Sequence, residues 1–528
     1  MTHGEHWIAG KLSQQVPATF YSVNPRTREQ GSIGFSDATG AEIDRACAAA
    51  REAFAVTRTY SAARLADFLD AVAAKIESHK DDMIATADRE TALGEARLTG
   101  ELGRTTGQLR AFAGLLREGS YVGAIIDSAL PDRKPAPRQD IRRMLHPIGP
   151  VAVFAASNFP FAFSVCGGDT ASAWAAGCPV VVKAHPGHPE TAQLFAQAVT
   201  EALSDSGFPA GFFSLLHGTG YEVGTRLVQH EAISTVGFTG SFGGGMALYK
   251  AAAQRHQPIP VYAEMGSVNP TIITQKTLET RGEALAEGLV NSVLLGAGQF
   301  CTNPGLVLMQ DSAEARSFVH MIAEKVSART PQVLLNAQIL AGLEKSIALT
   351  TGASAVTVVT GGQPANEPGY CFQNTVLQTN GRDFLAQPGL AREHFGPVTL
   401  LVLCSDRDEW MHVLAALEGQ LTASVHGEPD EAVELVDVLG LLREKAGRVI
   451  WNGFPTGVEV VYAQQHGGPF PATTAPATTS VGLTAVARFL RPVAYQNMPD
   501  ALLPDALKMN NPLGIWRIVN GELTRATG

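Results

Sequence analysis

Between His146 and Gly240 the chain alternates short, unbroken runs of β-branched and aromatic residues with helical stretches, and few architectures accommodate that pattern. The runs are VAVF at 151–154, PVVVKA at 179–184, FFSLL at 212–216 and STVGFTG at 234–240. Helical spacing fills 170–176, 190–203 and 223–228 between them, and 244–253 after them. Strands with no polar face must be covered on both sides, so the pattern predicts a parallel sheet between two helical layers. That is a doubly wound α/β domain of the kind that binds a dinucleotide at its carboxyl edge.

The flanks extend the scheme. Apolar residues from 40 to 116 recur at helical spacing, as in Ile43, Cys47, Ala50 and Phe54, then Leu65, Phe68, Leu69, Val72 and Ile76. Residues 121–143 turn β-like and carry Pro131, Pro135 and Pro137, which suits an arm leaving the domain body. A second α/β segment covers 264–468, with helices near 279–295 and 313–327, and a tail rich in Pro and Asn covers 472–528. A chain of 528 residues has room for such a division into domains.

Charge and cysteine usage exclude several function classes. A net charge of -10 with no basic run offers no field for nucleic acid or anionic lipid. The most apolar stretch, 149–166, is interrupted by Asn158 and Pro160, which makes a poor membrane span, and residues 1–12 hold no signal-like apolar run. Cys47, Cys166, Cys178, Cys301, Cys371 and Cys404 form no CxxC pair, so neither a disulfide frame nor a metal site is expected. These features predict a cytoplasmic protein whose partners are small molecules and copies of itself.

Several residues carry the chemistry. Cys301, in GAGQFCTNPG at 296–305, follows a helix and lies between glycine-rich flanks that can hold a sulfur exposed on a tight turn. It is either a nucleophile or an inert buried thiol. Glu264, in VYAEMGSVNP at 261–270, ends a strand and so points into the ligand crevice, as a general base, a cap or a salt-bridge partner. Asn158, in FAASNFPFAF at 154–163, is an amide in aromatic surroundings, which fits a turn or a donor to an oxyanion. GFTGSFGGGM at 237–246 joins a strand to a helix start, where phosphate is favoured, although it does not spell the usual glycine fingerprint. Lys183 ends a strand at the same edge, where a solvated lysine would read alike.

In this order, Asn158, Lys183, the turn at Gly240 and Ser241, Glu264, Cys301 and EHFGPV at 393–398 resemble the aldehyde dehydrogenase superfamily. The likeness runs from WIAGK at 7–11 and SVNPRT at 22–27 to Pro469 and Phe470. It implies an aldehyde dehydrogenase-like α/β fold: a doubly wound parallel-sheet dinucleotide-binding domain (1–120 and 144–263), an α/β catalytic domain (264–468), and a small oligomerisation arm and tail (121–143 and 472–528). It also implies a homodimer or homotetramer. Cys301 would attack the aldehyde while Asn158 and the cysteine's own N–H hold the oxyanion, and Glu264 would activate the water that hydrolyses the thioester. Lys183, Gly240 and Ser241 would contact the cofactor's ribose and phosphates, Gly266 the nicotinamide, Glu393 its ribose and Phe395 its ring face.

One departure bears on the cofactor. NAD-preferring members of the family carry a glutamate three residues after the strand-end lysine, whereas KAHP places Pro186 there. Loss of that charge implies NADP, with NAD still possible, and brings His185 and His188 near enough to assist. The segments at 156–189, 262–270, 298–305 and 511–521 look most like the NADP-linked α-ketoglutarate semialdehyde (2,5-dioxopentanoate) branch. That substrate ends in a carboxylate, for which Arg104 and Gln108, one helical turn apart in GRTTGQLRAFAG at 103–114, are the candidates. Phe159 and Phe163 would line the apolar wall. Three alternatives stand beside this one: a long-chain aldehyde specificity, acyl transfer to coenzyme A, and a catalytically silent structural member. Glu264 speaks against the second and Cys301 against the third.

Overall fold

A computed structural model describes residues 4–353 and 355–527, leaving 1–3, 354 and 528 of the expected domain ranges outside it. The first sheet has seven strands in the spatial order Val261–Glu264, Thr235–Thr239, Val151–Phe154, Val180–Lys183, Phe213–Leu216, His6–Ile8, Lys11–Ser13. The first five are parallel, and the two from the start of the chain add on antiparallel. Every residue of Val151–Phe154 and Phe213–Leu216 is buried, as their unbroken apolar runs require. The chain winds outward from Val151–Phe154 in one direction, then returns to build Thr235–Thr239 and Val261–Glu264 on the other side. Loops leaving the two strands at that reversal diverge, which opens a crevice at their carboxyl ends.

The helical spacing over 40–116 resolves into Gly40–Thr57, Ala62–Ser78, Lys80–Thr91 and Glu95–Glu118. Thr39 and Glu42 cap the first of these reciprocally, and Gly119 ends the last in a left-handed conformation. The second sheet orders Thr357–Thr360, Thr375–Asn380, Val398–Cys404, Leu306–Gln310, Thr271–Ile273, Gln420–His426 and Ala446–Trp451, parallel except at its first pair. Cys301 lies just ahead of the central strand of this sheet, Leu306–Gln310. Among the described residues no helix is long and apolar enough to cross a membrane.

The arm and the tail meet in one five-stranded sheet ordered Leu490–Gln496, Ile141–Pro147, Ile125–Asp127, Arg517–Val519, Glu522–Thr524. Residues 472–489 take another course. Ala472 and Thr474 hydrogen-bond along Val261–Glu264 as an extra edge, with Met265 N–H donating to the Ala472 carbonyl at 2.8 Å. Arg488 is fully buried and pairs with buried Asp169 at 2.7 Å. Removing one member of such a pair strands the other charge in a medium that cannot solvate it. Arg488→Met is expected to destabilise the fold by roughly 3–5 kcal/mol, read as a lower urea midpoint. Adding Asp169→Asn should recover much of that loss, and no recovery would show that the arginine acts through packing alone.

Candidate active site

The loop after Val151–Phe154 carries Asn158, which is buried; its Nδ2 donates to the Gln299 carbonyl at 3.0 Å. Arg97 holds the same loop, donating to the Asn158 carbonyl at 2.7 Å while its guanidinium lies over Phe159 and Phe300. The loop after Val151–Phe154 is thus tied to the segment that leads into Cys301. Beyond helix Gln275–Leu294 the backbone turns through left-handed Gly296, Ala297 and Gly298. A Cβ at Gly298 would strike the backbone of Gly396, so this glycine lets the 393–398 loop pack directly under the cysteine turn. Asn269 then fixes the turn by donating to the carbonyls of Cys301 at 2.8 Å and Asn303 at 2.9 Å.

The sulfur has two functional neighbours. Cys301 Sγ lies 3.5 Å from His466 Nε2, and the same nitrogen lies 3.1 Å from Glu264 Oε2. The side chains of His466 and Glu264 are closed off from solvent, and Ser480 Oγ reaches Glu264 Oε2 at 3.5 Å. Burial, followed by the carboxylates of Glu264 and Glu393, pushes the Cys301 thiol well above the usual thiol range, with Arg104 pulling the other way. The thiol therefore needs a proton acceptor before it can attack, and an imidazole nitrogen at this distance can take the proton. His466 escapes sequence reasoning because its partner Cys301 is 165 residues away. The local signal is slight: a lone histidine ahead of two glycines in QQHGGP at 464–469.

Cys301 lies on the walls of two cavities. The smaller, about 500 Å³, is lined by Arg104, Gln108, Phe159, Phe163 and His466, with Glu459 at its exposed mouth. The Arg104 guanidinium lies 5.2 Å from the Phe163 ring centre and 5.8 Å from that of Phe159. Arg104 makes no ion pair among the described residues, and burial lowers its pKa. The larger, about 630 Å³, brings together Lys183, His185, Pro186, Gly240, Ser241, Glu264, Gly266, Glu393 and Phe395. Ser241 caps helix Phe242–Ala253, accepting from Gly244 N–H at 3.3 Å. Burial holds the Lys183 amine down at about 8 and pushes the Glu393 carboxyl up to about 7.

His188 is not on that wall. It is buried behind His185, with Nε2 2.9 Å from the Ala156 carbonyl, so its ring supports the loop rather than facing the cavity. His185 does line the cavity, its Nδ1 accepting from Gly187 N–H at 3.1 Å. Burial, His188 and Lys183 push its pKa well down, which leaves it neutral.

A nicotinamide dinucleotide fits the larger cavity. Helix Phe242–Ala253 opens onto it with free N–H groups suited to phosphate, and Gly266 leaves a space where any Cβ would run into the Glu393 carboxylate.

Comparison with known proteins accords with this geometry. The chain is 48% identical to "Alpha-ketoglutaric semialdehyde dehydrogenase 2" of Azospirillum brasilense, over 98% of this chain and 99% of that one. It is 45% identical to "Alpha-ketoglutaric semialdehyde dehydrogenase" of Acinetobacter baylyi, over 99% of both. Among solved structures, 1-pyrroline-5-carboxylate dehydrogenase from Thermus shares the fold with a TM-score of 0.79 at 22% identity, over 94% of this chain and 93% of that one. The sequence model of the aldehyde dehydrogenase family matches residues 12–469, and the chain belongs to that family.

Proposed function

We propose that the protein oxidises α-ketoglutarate semialdehyde to 2-oxoglutarate with NADP, through a thioester on Cys301. The observation that carries this is the cysteine on the walls of two cavities, one able to hold a dinucleotide and the other lined by Arg104, which has no ion pair among the described residues. The two relatives named above, similar over nearly their full lengths, support the substrate.

His466 takes the thiol proton, and the sulfur attacks the aldehyde carbon. The Cys301 N–H and the Asn158 amide, released from Gln299, hold the oxygen as it becomes negative. A bound nicotinamide dinucleotide would supply the acceptor for the hydride that leaves the adduct's carbon. Glu264 then draws a proton from water as that water attacks the thioester. Lys183 and Ser241 would hold the cofactor's ribose and phosphate groups, Glu393 the nicotinamide-side ribose, and Gly266 and Phe395 the ring.

Preference for NADP rests on charge. The carboxylates on the larger cavity's wall are Glu264 and Glu393, both at the cysteine end, and Pro186 stands near Lys183 at the other. Among the described residues no carboxylate lines that end of the cavity, although Asp37 acts on Lys183 from behind the wall, and Lys183 attracts a 2'-phosphate. Assembly into a dimer or tetramer belongs to the same proposal, since Trp516, Ile518 and Leu523 leave apolar surface exposed on the five-stranded sheet.

The deciding experiment follows product and cofactor together. One 2-oxoglutarate should form per NADPH, without coenzyme A, at higher kcat/KM than with NAD or with uncharged long-chain aldehydes. A reversed order on either axis overturns that part of the proposal. Arg104→Ala should lower kcat/KM for the semialdehyde by about 10–100-fold, mainly through KM, because one charge-assisted contact is lost. An uncharged aldehyde of equal length should scarcely respond, and equal losses on both would remove Arg104 from substrate recognition.

A further inference from the structure

Cys301, His466 and Glu264 form an arrangement that proton transfer alone does not demand. Their Sγ, Nε2 and carboxylate oxygen all lie within 4.8 Å of one another, so they form a triangle rather than a line. A tetrahedral zinc ion has bonds of about 2.3 Å to sulfur and about 2.0–2.2 Å to nitrogen and oxygen, which sets S···N near 3.6 Å and N···O near 3.4 Å. The observed S···N and N···O edges are 3.5 Å and 3.1 Å, each within a few tenths of an ångström of those values, and the third edge is no longer than 4.8 Å.

We propose that Cys301, His466 and Glu264 bind a zinc ion when no aldehyde is present, reversibly silencing the enzyme.

The donor set favours a borderline-soft cation. A thiolate with an imidazole selects zinc over magnesium or calcium, which prefer oxygen alone. Three protein ligands with the fourth position open is the arrangement of an open zinc site, and here Cys301 and His466 line the 500 Å³ cavity, which gives solvent access to such a position. Glu264 and Glu393 add negative charge around the sulfur, which Arg104 offsets, and a dication at the site relieves that crowding. The Glu264 contact favours the proton on His466 Nε2, so zinc must shift it to Nδ1, which has no hydrogen-bond partner among the described residues. On binding, the Cys301 S–H bond breaks, its proton passes to solvent, and the sulfur lone pair forms the bond to zinc. Nothing is oxidised or reduced. The same lone pair is then withheld from the aldehyde, so metal and substrate exclude each other.

The silencing rests on Cys301 being the nucleophile, whereas the binding does not, and the test separates them. Metal-buffered Zn2+ is titrated into the cofactor-free enzyme, with Co2+ as a spectroscopic substitute and Mg2+ as the control ion. One Zn2+ per chain should bind and inhibit, a chelator should restore activity, and aldehyde should raise the apparent inhibition constant. Co2+ should give a sulfur-to-metal charge-transfer band and the intense visible bands of a tetrahedral site, with Mg2+ silent. His466→Gln should weaken Zn2+ binding by about 100-fold or more, since even partners of metal ligands are worth 10–100-fold. Should that variant not fold, Glu264→Gln removes another ligand without changing the side chain's size.

Unchanged zinc affinity in both variants, or a cobalt spectrum without the sulfur band, overturns the site. If the cobalt bands appear and vanish in Cys301→Ala while that variant keeps its dehydrogenase activity, the metal site stands and the proposed nucleophile falls.

Discussion

Cys301→Ala is expected to leave less than about one ten-thousandth of the wild-type turnover, because covalent catalysis is lost outright rather than weakened. No other thiol can substitute: Cys47, Cys166, Cys178, Cys371 and Cys404 are all buried, and none lines either cavity. The change should not disturb the turn, since Asn269 grips the backbone carbonyl at 301 rather than the side chain. Two measurements separate loss of chemistry from loss of structure. The variant should unfold at the wild-type denaturant midpoint, and intact mass analysis after mixing with aldehyde and cofactor should show an acyl adduct on wild type alone. Retention of more than about one hundredth of the activity would mean that the reaction does not pass through this sulfur.

Glu264→Gln should divide the reaction in two. Glutamine keeps the shape of the side chain and can still accept from Ser480, yet it cannot take a proton from water. Steady-state turnover should fall by about 10²–10⁴-fold, the usual contribution of a general base. The first turnover should survive, seen as a burst of reduced cofactor equal to the number of active sites, followed by accumulation of thioester. Hydroxylamine, which attacks thioesters without needing a base, should restore turnover. If the burst disappears as well, Glu264 acts earlier, by supporting His466 while it takes the thiol proton across the 3.1 Å contact.

What could be read in the sequence was whatever local repetition encodes. Strands buried on both faces announce themselves as VAVF and VVVK, and a residue just past such a strand is committed to the crevice. Asn158, Lys183 and Glu264 were therefore placed by position alone, and Cys301 by the glycines its turn requires. His466 has no such context: it occupies a loop, and what gives it meaning is a sulfur and a carboxylate from distant segments. His188 fails in the opposite way. Near Lys183 in sequence, it turns behind the loop to satisfy the Ala156 carbonyl, a choice decided by three-dimensional packing. Residues 472–489 look like tail because proline, threonine and alanine carry no periodicity, yet their backbone completes a sheet edge.

That edge has a consequence for biosynthesis. The Thr479 hydroxyl accepts from the His466 N–H at 2.8 Å, the Ser480 N–H donates to the His466 carbonyl at 2.8 Å, and the Ser480 hydroxyl faces Glu264. A nascent chain halted before this stretch would hold its sulfur, its amide and most of its helices, yet lack the clasp that keeps imidazole and carboxylate in place. On the proposed mechanism, competence to oxidise an aldehyde would arise late in translation, and incomplete polypeptides would carry a thiol that is not yet armed.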